Sequence, residues 1–464
     1  MDEYNLILDT DSYKYSHYLQ LPRDTTHISS YIEARGGAFP FARFFGLQGL
    51  IKQHFLTPIT AEQVDEAERV ATRHGLPFNR DGWMRIVEKH GGRLPVEIEA
   101  VPEGMDVPIG NVMAQVVNTD PEMPWLTAFI ETALLRLWYP TTVCTLSAMA
   151  KQTIMKQLEQ SCDDPASVIP FRLHDFGARG VSSYESAAIG GLAHLVNFLG
   201  TDTVAALSYA ADYYHEPMAG FSIPAMEHST VTSWGRDGEV RSFENMIEHF
   251  AKPGKLFAMV SDSYDIDYAV DEIIGQQLRE KIVNSGATLV VRPDSGDPSE
   301  VVPRIMNSLA RNFGATKNSK GYLVLAPSVR VIQGDGMELA TIRSTGEAIL
   351  RAGFSAENCA YGMGGGLLQK VNRDTMKFAM KASAAKIAGE WVDVFKSPKG
   401  DTTKRSKAGR LALTAAFETV RVEALSNREN LLRVVYRNGE LLVDESLAAI
   451  RERTTSDVAA EAVA

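Results

Sequence analysis

The chain has little cysteine. Only Cys144, Cys162 and Cys359 occur in 464 residues, too few and too scattered for a disulfide framework or a zinc knuckle, so a reducing, cytoplasmic setting is the expectation. No apolar run approaches the roughly 18 residues of a membrane span. The opening Met1-Asp2-Glu3-Tyr4-Asn5 carries acid where a secretory signal carries base, so a soluble, unprocessed protein without a membrane partner is expected. Excess positive charge is also missing. Lys and Arg number 47 against 58 Asp and Glu, a net charge of -11 that argues against an extended nucleic-acid surface. The sequence has no fixed-period repeat and no low-complexity segment, and it lacks a Walker-type phosphate loop, a zinc-protease spacing and a nucleophile elbow.

What is present is an ordinary globular composition, 45% apolar and 23% charged. The length exceeds what one hydrophobic core usually organises, which predicts a large domain with a smaller companion. Val96 to Val101 and Val112 to Val117 alternate apolar and polar residues around Pro108-Ile109-Gly110, the pattern of a β-hairpin. A helix is expected at about 122 to 138, stopped by Pro140, and another at about 145 to 160.

Beyond residue 170 the rhythm changes to a short apolar strand, a polar or glycine cluster, then an amphipathic helix, several times over. This predicts a parallel α/β sheet. The strands expected are Phe171 to His174, Leu256 to Val260, Thr288 to Val291, Val329 to Ile332 and Asn358 to Tyr361. They end in His174-Asp175-Phe176-Gly177, Ser261-Asp262-Ser263, Arg292-Pro293-Asp294-Ser295-Gly296, Gln333-Gly334-Asp335-Gly336 and Gly362-Met363-Gly364-Gly365-Gly366. In a barrel such ends converge on one mouth, so five of them in succession favour a site over five unrelated turns. From about residue 376 the chain returns to β-like alternation and is expected to fold back on the N-terminal part. The expected division is 1–140 and 376–464 as the two parts of a smaller domain and 141–375 as the barrel, with residues 454–464 a frayed tail.

Several of these residues suit anion chemistry. The glycines of 362–366 let backbone amides approach a phosphate, with Gly334-Asp335-Gly336 one strand earlier and Lys370 and Arg373 just after; a glycine run also serves in plain tight turns. Asp262, Asp294 and Asp335 could hold a hard cation such as magnesium, and could equally be helix caps. His228, after Ser222 to Met226 at a further expected strand end, and His174 could be structural. The basic residues Lys381, Lys396, Lys404, Arg405, Lys407 and Arg410 are either a solvated face or an anion site.

From about Asn5 to Arg410 these motifs resemble the nicotinamide phosphoribosyltransferases. The likeness includes Thr10-Asp11-Ser12-Tyr13-Lys14, Ala100-Val101-Pro102-Glu103-Gly104, His174-Asp175-Phe176-Gly177, Arg179 to Ser183, Gly200 to Ala205, Glu227-His228-Ser229-Thr230, Val260 to Asp265 and Arg292 to Gly296, with the two glycine turns. The resemblance implies a closed, irregular α/β barrel of the type II phosphoribosyltransferase kind, with a second α+β domain from both chain ends. It further implies a homodimer with shared active sites. The substrates would be nicotinamide and 5-phosphoribosyl 1-pyrophosphate, with Mg2+ and coupled ATP.

By the same resemblance Phe176 and a second copy's Tyr13 sandwich the pyridine, Asp202 accepts from its carboxamide, and Arg292 lies over it. Gly334, Asp335, Gly364, Gly365 and Arg373 take the ribose 5-phosphate. Arg35, Arg179, Lys381, Lys396 and Lys404 serve the pyrophosphate or ATP phosphates, Asp262 and Asp294 lie around magnesium and the ribose, and His228 is phosphorylated from ATP. The sequence departs from many animal members at Ala178 and Ala379, and in a short Gly36 to Arg43 segment. The competing readings are a nicotinate phosphoribosyltransferase, which Asp202 opposes, and a phosphosugar lyase or aldolase on a barrel, for which no strand-end lysine is found.

Overall fold

The computed structural model describes residues 4–396, 406–425 and 429–455. The chain forms two compact units. One takes residues up to Thr145, the stretch Ala210–Glu216 and residues from Asn372 onward; the other takes Leu146–Tyr209 and Pro217–Val371. Among the described residues no helix is long and apolar enough to cross a membrane.

In the first unit a seven-stranded sheet runs in the order Glu390–Asp393, Phe378–Ile387, Thr25–Ala34, Val112–Asn118, Val96–Ala100, Arg433–Arg437, Glu440–Leu441, with every neighbouring pair antiparallel. The expected hairpin is there, with Val96 opposite Asn118 and Ala100 opposite Ala114. The β-like stretch after residue 376 pairs with the strand Thr25–Ala34, so residues from both ends of the chain lie side by side at the sheet's centre.

The helix expected at 122 to 138 is instead two short helices, Leu126–Phe129 and Glu131–Leu135, and Pro140 does not stop a helix. It sits in the first turn of the long helix Trp138–Ser161, where the missing proline N–H has no intrahelical partner to lose. At the other end, a helix spans Leu447–Thr455, so Thr454 belongs to it, and 456–464 lie outside the described residues.

The second unit holds a six-stranded parallel sheet: β1 (Leu173–Asp175), β2 (Gly200–Thr201), β3 (Leu256–Val260), β4 (Thr288–Arg292), β5 (Val329–Gln333) and β6 (Cys359–Met363). The order is β2-β1-β6-β5-β4-β3. Four of the expected strands shift by one or two residues at an end, β3 matches, and β2 was not foreseen because two residues carry no periodicity.

Neither edge of this sheet is open. The segment Phe221–Met226 hydrogen-bonds to β2 and its approach through Phe221 N to Leu199 O (2.7 Å) and Thr201 N to Phe221 O (3.0 Å), and to β3 through Ala258 N to Pro224 O (2.8 Å) and Met226 N to Ala258 O (3.1 Å). It makes isolated parallel bridges rather than the strand expected there, because Pro224 has no N–H for a ladder. The result is a closed, irregular α/β barrel. Inside it Ala258, Val290 and Ile332 are buried against Phe176, Ile223 and Ala360.

Glu103, from the Ala100–Gly104 motif, is buried in the first unit and accepts from Gln48 N at 2.8 Å. Burial pushes its carboxyl up to about 7. A carboxyl raised in the fold favours the protonated folded state, so its contribution is full below the ordinary carboxylate range and is lost as pH rises through about 7, a swing on the order of 3 kcal/mol. The melting temperature of the parent should therefore fall more steeply between about pH 5 and about pH 8.5 than that of Glu103→Gln. Equal slopes would place the titration elsewhere.

Candidate active site

The polar strand ends of the barrel unit carry most of the expected site residues. Phe176 follows β1, and its N–H donates to Met363 O at the end of β6 (3.0 Å). Its ring lies across two glycines. A Cβ on Gly362 would stand 2.0 Å from Phe176 Cε2, and one on Gly334 3.3 Å away. The aromatic face therefore caps the apolar barrel interior because β6 carries no side chain at Gly362.

Beneath Phe176, Asp175 is fully buried. Its Oδ1 accepts from Gly177 N (2.7 Å) and its carbonyl from Asp202 N (2.9 Å). The turn that bears Phe176 and the residue Asp202 are thus held by one residue. Burial pushes the Asp175 carboxyl up to about 6, with the nearby Asp202 charge adding to the effect. His174 is kept below the usual histidine range by burial and stacks loosely on Phe176, with ring centroids 6.3 Å apart. Asp202 itself is exposed and accepts from Ser222 Oγ at 2.5 Å.

Asp262 follows β3 and accepts from His228 Nε2 at 3.0 Å; its side chain is 6% exposed and that of His228 46%. A carboxylate can only accept, so Nε2 carries the hydrogen and the lone pair falls on Nδ1. Arg292, the last residue of β4, donates from one terminal nitrogen to Asp294 Oδ2 (3.1 Å), while its Nε is buried without a hydrogen-bond partner. Asp294 also faces Gly334, whose added Cβ would lie 3.5 Å from Oδ1.

The choice between helix caps and ligands for Asp262, Asp294 and Asp335 is decided by the residues three further on. Asp265, Asp297 and Glu338 are the N-caps of the following helices, which leaves the three earlier aspartates without a capping role. Gly364 and Gly365 open a single helical turn, Gly365–Leu368, and pack on the Phe176 to Gly180 turn: a Cβ on Gly364 would meet Phe176 O at 3.5 Å, and one on Gly180 would meet Gly365 Cα at 3.5 Å. Arg179 is exposed in that turn. Among the described residues no three His, Cys, Asp or Glu side chains gather as a metal cage.

The remaining expected residues belong to the first unit. Tyr13 is 57% exposed, edge-on to His17. Arg35 pairs with the buried Glu33 at 3.0 Å, and Arg373 with Asp374 at 2.8 Å. Lys381 is exposed, opposite Tyr31 in the sheet, and the Lys396 N–H donates to Ser406 Oγ (2.9 Å). Lys404 and Arg405 lie outside the described residues. Part of the basic run is structural: Lys407 pairs with Glu33 and with Gly110 O (2.6 Å), and Arg410 lies over the Trp391 ring. Sequence reasoning missed Ser222, Asp175 and the role of Gly362. Gly362 was visible as a glycine, but the ring that excludes its Cβ was not.

Gly362→Ala should displace Phe176 and cost about 1–3 kcal/mol of stability by overpacking, whereas Gly365→Ala, which meets open space, should leave the melting temperature nearly unchanged. Parallel thermal melts check this, and similar losses at both positions would remove the special constraint on Gly362.

The nicotinate phosphoribosyltransferase family model matches residues 171–440, and a model of the nicotinamide phosphoribosyltransferase N-terminal domain matches residues 5–98. A nicotinamide phosphoribosyltransferase of Xanthomonas campestris is 49% identical over 96% of this chain and 97% of its own length. One from Acinetobacter baylyi is 30% identical over 96% and 95%. Among solved structures, nicotinate-nucleotide pyrophosphorylase from Pyrococcus furiosus superposes with a TM-score of 0.62 at 15% identity, covering 98% of this chain and 96% of that one. Human nicotinic acid phosphoribosyltransferase gives 0.57 at 16%, covering 96% and 92%. These two speak for the fold, that of the type II phosphoribosyltransferases. The sequence matches, which run nearly the full length of both partners, go further: this chain belongs to the nicotinamide phosphoribosyltransferase family.

Proposed function

We infer that the protein transfers the phosphoribosyl group of 5-phosphoribosyl 1-pyrophosphate to nicotinamide, forming nicotinamide mononucleotide and pyrophosphate in NAD salvage. Beyond family membership, the observation that carries this reading is the joint anchoring of an aromatic face and a carboxylate, Phe176 and Asp202, on Asp175 at the barrel mouth. The pyridine nitrogen attacks the anomeric carbon with its lone pair as the bond to pyrophosphate breaks and its electrons leave with that group. The ring nitrogen has no proton to lose, so no general base is needed. What the protein supplies is orientation and charge.

Phe176 is one wall for the pyridine, and Tyr13 of a second copy is the other, which makes the working unit a homodimer with shared sites in the cytoplasm. The exposed ring of Tyr13 is available for that role. Arg292, with an unpartnered Nε, lies over the ring and reaches phosphate. Gly334, Asp335, Gly364, Gly365 and Arg373 take the 5-phosphate, and Arg35, Arg179, Lys381, Lys396 and Lys404 the pyrophosphate or ATP phosphates. Two carboxylates with no cage suit magnesium, which binds through few protein oxygens plus substrate phosphates. Asp262 and Asp294 would hold it, and it would neutralise charge on the leaving group.

ATP hydrolysis is coupled through His228. Nδ1 forms a bond to the γ-phosphorus as the bond to ADP breaks, and water later releases phosphate. The hydrogen bond from Nε2 to Asp262 supports this by leaving the lone pair on Nδ1. Stimulation of turnover by ATP should then vanish in His228→Ala while a slow ATP-independent reaction persists. Full stimulation in that variant, followed by steady-state assay with and without ATP, would exclude the phosphohistidine.

Substrate choice tests the main reading. Asp202 can accept from an amide NH2, but a nicotinate carboxylate brings a second negative charge, a repulsion of about 4 kcal/mol at about 4 Å and an effective dielectric near 20. Solvent at the exposed Asp202 lowers this. In turnover assays with nicotinamide, nicotinate and quinolinate, the parent should prefer nicotinamide, and Asp202→Asn should narrow its advantage over nicotinate about tenfold or more. Preference for nicotinate in the parent would overturn the assignment.

A further inference from the structure

The inference concerns how Asp202 is aimed, and it rests on the reading of Asp202 as the residue that selects the amide. Asp202 lies one residue past β2 with its side chain exposed. An aspartate there has several rotamers open to it, and choosing one costs entropy at the moment of binding.

Ser222 removes that freedom. Its hydroxyl donates to Asp202 Oδ1 at 2.5 Å. The position of the hydroxyl is itself fixed by main chain. Ser222 belongs to the segment bonded on one side by Phe221 N to Leu199 O (2.7 Å) and on the other by Ala258 N to Pro224 O (2.8 Å). The donor is therefore part of the barrel wall. A hydroxyl on Oδ1 occupies one of the carboxylate's acceptor sites and sets the plane of the others.

We propose that Ser222 is a specificity-determining positioning residue, whose hydroxyl holds the Asp202 carboxylate in the orientation that accepts from the carboxamide NH2 of nicotinamide. A pre-oriented acceptor contributes to binding the amide and to rejecting the acid, because a carboxylate that can swing away presents a weaker barrier to a second negative charge. Ser222 does not touch the reacting atoms; it acts through Asp202.

The test is kinetic. Ser222→Ala should raise KM for nicotinamide about fivefold to tenfold, lower kcat by less, leave KM for 5-phosphoribosyl 1-pyrophosphate unchanged and narrow the preference over nicotinate. Ser222→Thr, which keeps the hydroxyl, should restore most of the loss. In an Asp202→Ala background the serine substitution should have almost no effect on KM, as expected when one residue acts through another. The proposal is overturned if Asp202→Ala abolishes discrimination while Ser222→Ala leaves KM for nicotinamide unmoved, or if Ser222→Ala shifts KM equally in both backgrounds. Should Asp202→Ala itself leave discrimination intact, the selecting role of Asp202 falls, and this proposal falls with it. Equal melting temperatures for the parent and Ser222→Ala separate either result from a loss of fold.

Discussion

The barrel depends on a segment that is not a strand. Phe221 to Met226 makes backbone hydrogen bonds to both edges of the six-stranded sheet, and without it two rows of N–H and C=O groups would be left open. The same segment brings Ser222 to Asp202 and leads directly into His228, which meets Asp262 at the end of β3. Closing the ring and assembling the polar mouth are therefore one event. Proline at position 224 fits this double duty, since it ends any regular ladder while its carbonyl still accepts from Ala258.

Around that closure the polar groups divide their work. Backbone caps and turns fall to Asp265, Asp297 and Glu338, so Asp262, Asp294 and Asp335 remain free of helix capping. Arg292 keeps a buried nitrogen without a partner, a state that costs free energy unless a bound group satisfies it. The apolar interior under Phe176 gives the mouth a dry floor, against which charge placed above it is felt more strongly than in water.

Much of the barrel was legible in the sequence because buried parallel strands read as short apolar runs followed by polar ends. Leu256 to Val260 and Thr288 to Val291 were found that way, as was the hairpin of Val96 and Val112. Gly200–Thr201 and the Phe221 segment were not, since two residues or a proline-broken stretch leave no periodic trace. Pro140 misled because a helix start and a helix stop accept the same residue. Of the site, the residue types at strand ends were visible, whereas the Ser222 contact depends on a fold that joins residues from different loops. The Asp202, His228 and Asp262 roles came from family resemblance rather than from spacing.

The central sheet of the first unit has a consequence for how the protein is made. Thr26 bonds to Lys386 across 360 positions of sequence, so the strand that leaves the ribosome first must wait for one near the end of synthesis before its edge is covered. Most of the barrel, by contrast, is encoded in one long run between them. On a nascent chain the barrel can close while the early strand Thr25–Ala34 still lacks its C-terminal neighbour, and such an unpaired strand is the place where association between unfinished chains would begin.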